Sequence, residues 1–132
     1  MDEDVQAAAA RLVRRLKEGG HTITVAESCT GGLLASAFTD IAGASRWFNQ
    51  SWVTYSNEAK INELGVSPDL LEKKGAVSAG VAIAMAQGAV KRAKASIAIS
   101  ITGIAGPSND GTNKKVGMVY VGIASSTNWA NA

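Results

Sequence analysis

His21-Thr22-Ile23-Thr24-Val25-Ala26 reads as a short β-strand, and it runs directly into Glu27-Ser28-Cys29-Thr30-Gly31-Gly32, a polar turn that ends in two glycines. Leu33 to Ile41 then has the composition of a helix, with Gly43 to close it. Strand, glycine-rich turn and helix in that order are the unit from which α/β proteins are built.

The surrounding sequence repeats the alternation. Upstream, Val5, Ala8, Ala9, Leu12, Val13 and Leu16 recur at helical spacing over residues 4–18, and Gly19-Gly20 supplies the stop. Downstream, Trp52-Val53-Thr54-Tyr55 is β-branched and aromatic, which predicts a second strand. Ser56 is placed to cap a helix from Asn57 to Leu64, and Ser67-Pro68 opens another with a capping hydroxyl and a first-turn proline. Ser78 caps a longer helix to about Lys94, whose Ala82, Met85, Ala86 and Ala89 make a smooth face for a sheet. Ala95 to Thr102 sets Ile97, Ile99 and Ile101 among small residues, the pattern of a buried strand, and Val116 to Ala124 is a last apolar strand. Between them, Asn109-Asp110-Gly111 signals a turn. The expectation is one α/β domain over residues 1–132, with helices on both faces of the sheet.

Composition narrows the chemistry. The 132 residues carry 13 Lys and Arg against 11 Asp and Glu, a net charge of +2. Arg11, Arg14, Arg15 and Lys17 form the wet face of one helix, and no basic, aromatic-interleaved stretch points to nucleic acid. The acidic start Met1-Asp2-Glu3-Asp4 is opposite in charge to a signal peptide. No apolar run approaches the ~20 residues that span a bilayer, so a soluble, cytoplasmic protein without a membrane partner is expected. One Cys excludes an internal disulfide, and Cys29 with His21 falls short of a structural zinc set of about four ligands. A Ser-His-Asp hydrolase has only His21 available. Six or seven residues of strand at ~3.3 Å each put His21 about 20 Å from Ser28, at the wrong end of the sheet.

Ligands of open α/β sheets gather at the carboxyl ends of strands. Glu27 to Gly32, Tyr55 to Lys60 and Thr102 to Pro107 all fall there. Ser28 is a possible nucleophile, with the backbone N–H groups of Cys29, Thr30 and Gly31 available to hold an oxyanion or a phosphate. A plain capping role for Ser28 or Thr30 is equally open. Cys29 competes with Ser28, since a thiol at a helix start has a lowered pKa. Lys60, in the first turn of a helix capped by Ser56, sits where a cation is disfavoured and loses its proton more easily, as a general base must. Tyr55 is placed to relay that proton or to position Lys60. The bland alternatives are a solvent-exposed Lys60 and a core Tyr55. Trp47-Phe48 makes either an apolar wall for an aromatic ligand or ordinary core.

Four motifs occur in one order: Ala26-Glu27-Ser28-Cys29-Thr30-Gly31-Gly32, Tyr55-Ser56-Asn57-Glu58-Ala59-Lys60, Gly75-Ala76-Val77-Ser78 and Thr102-Gly103-Ile104-Ala105-Gly106-Pro107. In these the chain resembles the CinA C-terminal domain family, from its first helix to Ala124. The resemblance implies a three-layer α/β/α sandwich with a mixed sheet, and a homo-oligomer. It implies hydrolysis of nicotinamide mononucleotide to nicotinate mononucleotide and ammonia, with no metal or organic cofactor. The family's serine nucleophile falls on Ser28, and its tyrosine and lysine on Tyr55 and Lys60. Thr102, Gly103 and Gly106 fall in its nucleotide pocket, and Glu27 joins the residues expected to contact substrate. The family's domain continues with a further strand and a helix that carry basic residues near the ligand phosphate, with no counterpart past Asn128-Trp129-Ala130-Asn131-Ala132. Arg46 or Lys115 is therefore the expected phosphate partner. The runner-up reading is a nucleotide-binding domain of the same fold without turnover.

Overall fold

The computed structural model describes residues 3–104 and 117–126. Four strands, β1 (Ile23–Glu27), β2 (Trp52–Val53), β3 (Ile97–Gly103) and β4 (Val119–Ser125), form one sheet in the order β2-β1-β3-β4. β1 runs parallel to β2 and β3, whereas β4 is antiparallel to β3, so the sheet is mixed.

Among the described residues five α-helices cover it: α1 (Glu3–Gly19), α2 (Leu33–Thr39), α3 (Asn57–Leu64), α4 (Pro68–Lys74) and α5 (Ala79–Ala93). The chain steps from β1 through α2 to β2 on one side, then through α3, α4 and α5 back past β1 to β3. Two crossovers of the same hand in opposite directions must put their helices on opposite faces. Accordingly Ala9, Val13 and Leu16 of α1 and Ala37 and Phe38 of α2 pack on Ile23 and Val25. Leu64, Leu71, Val81, Met85, Ala86 and Ala89 of α3–α5 pack with Ala26 and Ala98 on the other face. The result is the expected α/β/α sandwich.

The three expected serine caps form. Ser56, Ser67 and Ser78 each accept a hydrogen bond from the backbone N–H three residues on, at 3.0, 3.3 and 3.3 Å. The smooth face of α5 is real as well, and it reaches the sheet so closely that Ser100 Oγ donates to the Ala82 carbonyl at 2.5 Å.

β2 and β3 differ in character from expectation. β2 has only two residues, because the chain leaves the sheet after Val53 to enter the cap of α3. In β3 the small residues Ala98, Ser100 and Thr102 are fully buried, while Ile97, Ile99 and Ile101 are half-buried. α5 seals the small-residue face; α1 and α2 cover the other face only in part, and Val119, Val121 and Ile123 of β4 stay exposed. The expected turn at Asn109-Asp110-Gly111 lies outside the described residues. Among the described residues, no helix is long and apolar enough to cross a membrane.

Candidate active site

β1 ends at Glu27, and Ser28 is the first residue of the turn, its N–H donating to the Ile101 carbonyl at 3.0 Å. The chain must reverse here within a few residues. Gly31 and Gly32 do so with φ of 61° and 108°, in the left-handed region that side chains disfavour. The Gly31 N–H donates to the Ser28 carbonyl at 3.2 Å and closes the turn. That bond corrects the expected oxyanion set, because Gly31 has no N–H to spare. The N–H groups of Cys29 and Thr30 donate to no backbone carbonyl among the described residues.

Ser28 faces α3. There Lys60, only 1% exposed, places Nζ 3.0 Å from Ser28 Oγ, 2.9 Å from the Thr54 carbonyl and 3.1 Å from the Tyr55 carbonyl. The two carbonyls are free for it because β2 stops at Val53. Burial pushes the ammonium's pKa below its ordinary 10.5, against a smaller opposing pull from Cys29. An ammonium has three N–H groups for these three oxygens. A neutral amine has two, which match the two carbonyls, and its lone pair then points at the serine hydroxyl. The same geometry therefore suits either form, an ammonium donating to Ser28 Oγ or a neutral amine accepting from its hydroxyl.

Tyr55 enters through its backbone. Its side chain is 69% exposed, while its carbonyl accepts from Lys60. Ser28 Oγ stands 3.5 Å from the same carbonyl, too far for a good bond. Of the two roles expected for Tyr55, positioning Lys60 is the one its contacts support. The outcome reverses the bland expectation for both residues: the lysine is buried and the tyrosine exposed. Cys29 is half-buried, and burial, the largest influence, raises its thiol pKa above the ordinary 9.0. A hydrogen bond from its own backbone N–H and the charge of Lys60 pull it down less strongly, and Glu27 adds to the rise. The low-pKa thiol expected from position alone is not what the surroundings produce.

The carboxylate of Glu27 is fully buried and turned to the α2 face, with both oxygens engaged inside the chain, so the expected substrate contact is not its arrangement. Thr102 is also buried, and its Oγ1 donates to the Ala76 carbonyl at 2.9 Å, tying the end of β3 to the Gly75–Ser78 segment. Gly103 lies beside Cys29; a Cβ there would come 2.7 Å from the Met118 carbonyl and 3.1 Å from Cys29 Sγ. Gly106 and Lys115 lie outside the described residues. Arg46 is not brought to the site: with Leu16, Lys17, Gly20, His21 and Trp47 it lines a depression at the amino end of β1. His21 is at that far end, as its strand position requires. Trp47 is buried against Phe38, ring centroids 6.1 Å apart, and is core. Thr54 is the participant that residue type does not betray. Its N–H donates to the Glu27 carbonyl at 2.8 Å and its carbonyl receives Lys60, both through the backbone.

The family model of the CinA C-terminal domain matches residues 5–131. The nicotinamide-nucleotide amidohydrolase PncC of Escherichia coli is 47% identical over 123 residues, which are 93% of this chain and 74% of that protein. A CinA-like protein of Chlorobium phaeobacteroides is 56% identical over 123 residues, 93% of this chain but 28% of its own length. The chain spans about 30% of the length of several longer relatives. The crystal structure of the competence/damage inducible protein CihA from Agrobacterium tumefaciens has a TM-score of 0.91 at 41% identity, covering 95% of this chain and 76% of that one.

Proposed function

We propose that this chain, which belongs to the CinA C-terminal domain family, deamidates nicotinamide mononucleotide to nicotinate mononucleotide and ammonia, with Ser28 as nucleophile and Lys60 as base. The observation that carries the reading is the buried 3.0 Å contact between Lys60 Nζ and Ser28 Oγ at the carboxyl end of β1. The relative named as a nicotinamide-nucleotide amidohydrolase supports the choice of substrate.

The chemistry follows from the donor count. Neutral Lys60, held by the Thr54 and Tyr55 carbonyls, takes the hydroxyl proton as Ser28 Oγ attacks the carboxamide carbon. The N–H groups of Cys29 and Thr30, which donate to no backbone carbonyl among the described residues, are the donors assigned to the developing oxyanion. The Lys60 ammonium returns its proton to the leaving nitrogen, the C–N bond breaks, and ammonia departs. Water then attacks the Ser28 ester with Lys60 again as base, which releases the carboxylate and restores the serine.

The test is ammonia release from nicotinamide mononucleotide by the parent and by Ser28→Ala. Turnover by the parent alone supports the proposal. An inert parent that still binds the nucleotide favours a binding domain without turnover.

A further inference from the structure

We propose that Glu27 is a positioning residue for the serine turn, holding Ser28 and the following N–H groups in reactive register from the opposite face of the sheet. The inference rests on the reading of Ser28 as nucleophile.

The fully buried Glu27 carboxylate accepts three hydrogen bonds: Oε1 from Thr30 Oγ1 at 2.6 Å and from the Leu34 N–H at 2.8 Å, Oε2 from the Ala35 N–H at 3.0 Å. Bonds to an ionised acceptor are the short, strong class, and backbone donors at a helix start add the favourable end of the peptide dipoles. Gly32, the residue at the cap position of α2, has no side chain to offer. Glu27 supplies that cap from five residues upstream, across the turn. Its backbone is fixed as well, paired with Val53 on one side and Ile101 on the other.

One residue thus ties both ends of the segment 28–32. Without that tie, a turn with two left-handed glycines has wide freedom. Neighbouring residues leave a strand on opposite faces, so the Glu27 side chain lies against α2 while Ser28 faces Lys60. Glu27 touches no reacting atom; it acts by fixing where Ser28 Oγ sits. A displacement of about 1 Å at a reacting group costs on the order of 100-fold in rate.

The test compares the parent with Glu27→Gln, Glu27→Asp and Thr30→Val. Glutamine places an NH2 group against backbone N–H donors, aspartate is one methylene short, and valine removes only the Thr30 hydroxyl bond. Two rates are read at a temperature where circular dichroism shows each variant folded. One is kcat and KM for ammonia release. The other is labelling of Ser28 by a fluorophosphonate, in which the Oγ–P bond forms, fluoride leaves and the hydroxyl proton passes to Lys60. The expected result is a parallel fall in kcat and labelling of about 10- to 100-fold for both Glu27 variants, with a smaller fall for Thr30→Val. KM should stay within about threefold, since a positioning role acts on the attack and not on substrate binding. Parent rates in folded Glu27→Gln overturn the proposal; should that variant not fold, parent rates in Thr30→Val do so. A merely structural role lowers the melting temperature but leaves both rates unchanged per folded molecule. A parent that neither turns over nor labels at Ser28 defeats the nucleophile reading, and the proposal with it.

Discussion

Lys60 Nζ and Ser28 Oγ stand 3.0 Å apart, 32 residues apart in sequence and buried together where β1 gives way to its turn. Burial of a lysine against two carbonyls and a hydroxyl, with no carboxylate among its hydrogen-bond partners in the described residues, favours the uncharged amine. Amide hydrolysis should therefore depend on the fraction of neutral Lys60. The pH profile of kcat should rise to a plateau with its inflection below 10.5, the ordinary lysine value. Lys60→Arg, which cannot lose its proton, should lose about 100- to 10,000-fold in kcat. A profile without that inflection, or an active arginine variant, contradicts the role.

The same burial links Lys60 to stability. Unfolded, Lys60 keeps its proton up to about 10.5, whereas the folded chain gives it up at lower pH. Between the two values the unfolded chain binds more protons, so the lysine makes folding more favourable as pH rises through that window. Below it both states are protonated and the full cost of the buried charge is present. The melting temperature of the parent, relative to Lys60→Met, should climb across the window. A pH-independent difference would count against the depressed pKa.

Tyr55 acts by its carbonyl, with its ring exposed. Tyr55→Phe should then keep kcat within about threefold of the parent, well short of the 100-fold or more that loss of a proton relay brings. Steady-state kinetics decides, and a loss of that larger size would restore the hydroxyl to the mechanism.

Gly88 lies inside α5, where alanine ordinarily stabilises a helix by about 1 kcal/mol. Here a Cβ would run into the Leu64 carbonyl at the end of α3. Backbone cannot yield as a flexible side chain can, so Gly88→Ala should destabilise by about 1–3 kcal/mol. Thermal or urea unfolding measures it, and a stability gain would mean that α3 and α5 pack less tightly than described.

Much of this is legible in the residues alone, for reasons that are local. The strand–turn–helix at Ile23–Thr39 and the caps at Ser56, Ser67 and Ser78 depend on neighbours within four positions, and so they can be read directly. Ser28 and Lys60 stand out because each occupies a strand end or a helix start. What pairs them is tertiary: β2 ends after two residues, and its continuation leaves two carbonyls for the lysine. The direction of Glu27 is hidden for a similar reason. A carboxylate beside a candidate nucleophile reads as a substrate contact until strand alternation and the start of α2 show that it caps a helix. Arg46 is misleading because nothing near it in sequence reveals which end of the sheet its loop serves.

The most direct test of Ser28 as nucleophile is the acyl-enzyme itself. Parent protein mixed with nicotinamide mononucleotide, quenched in acid within the first turnovers and digested, should carry the nicotinoyl nucleotide as an ester on the Ser28 peptide, and Ser28→Ala should carry none. An adduct on Cys29, or ammonia release that continues undiminished in Ser28→Ala, would contradict it.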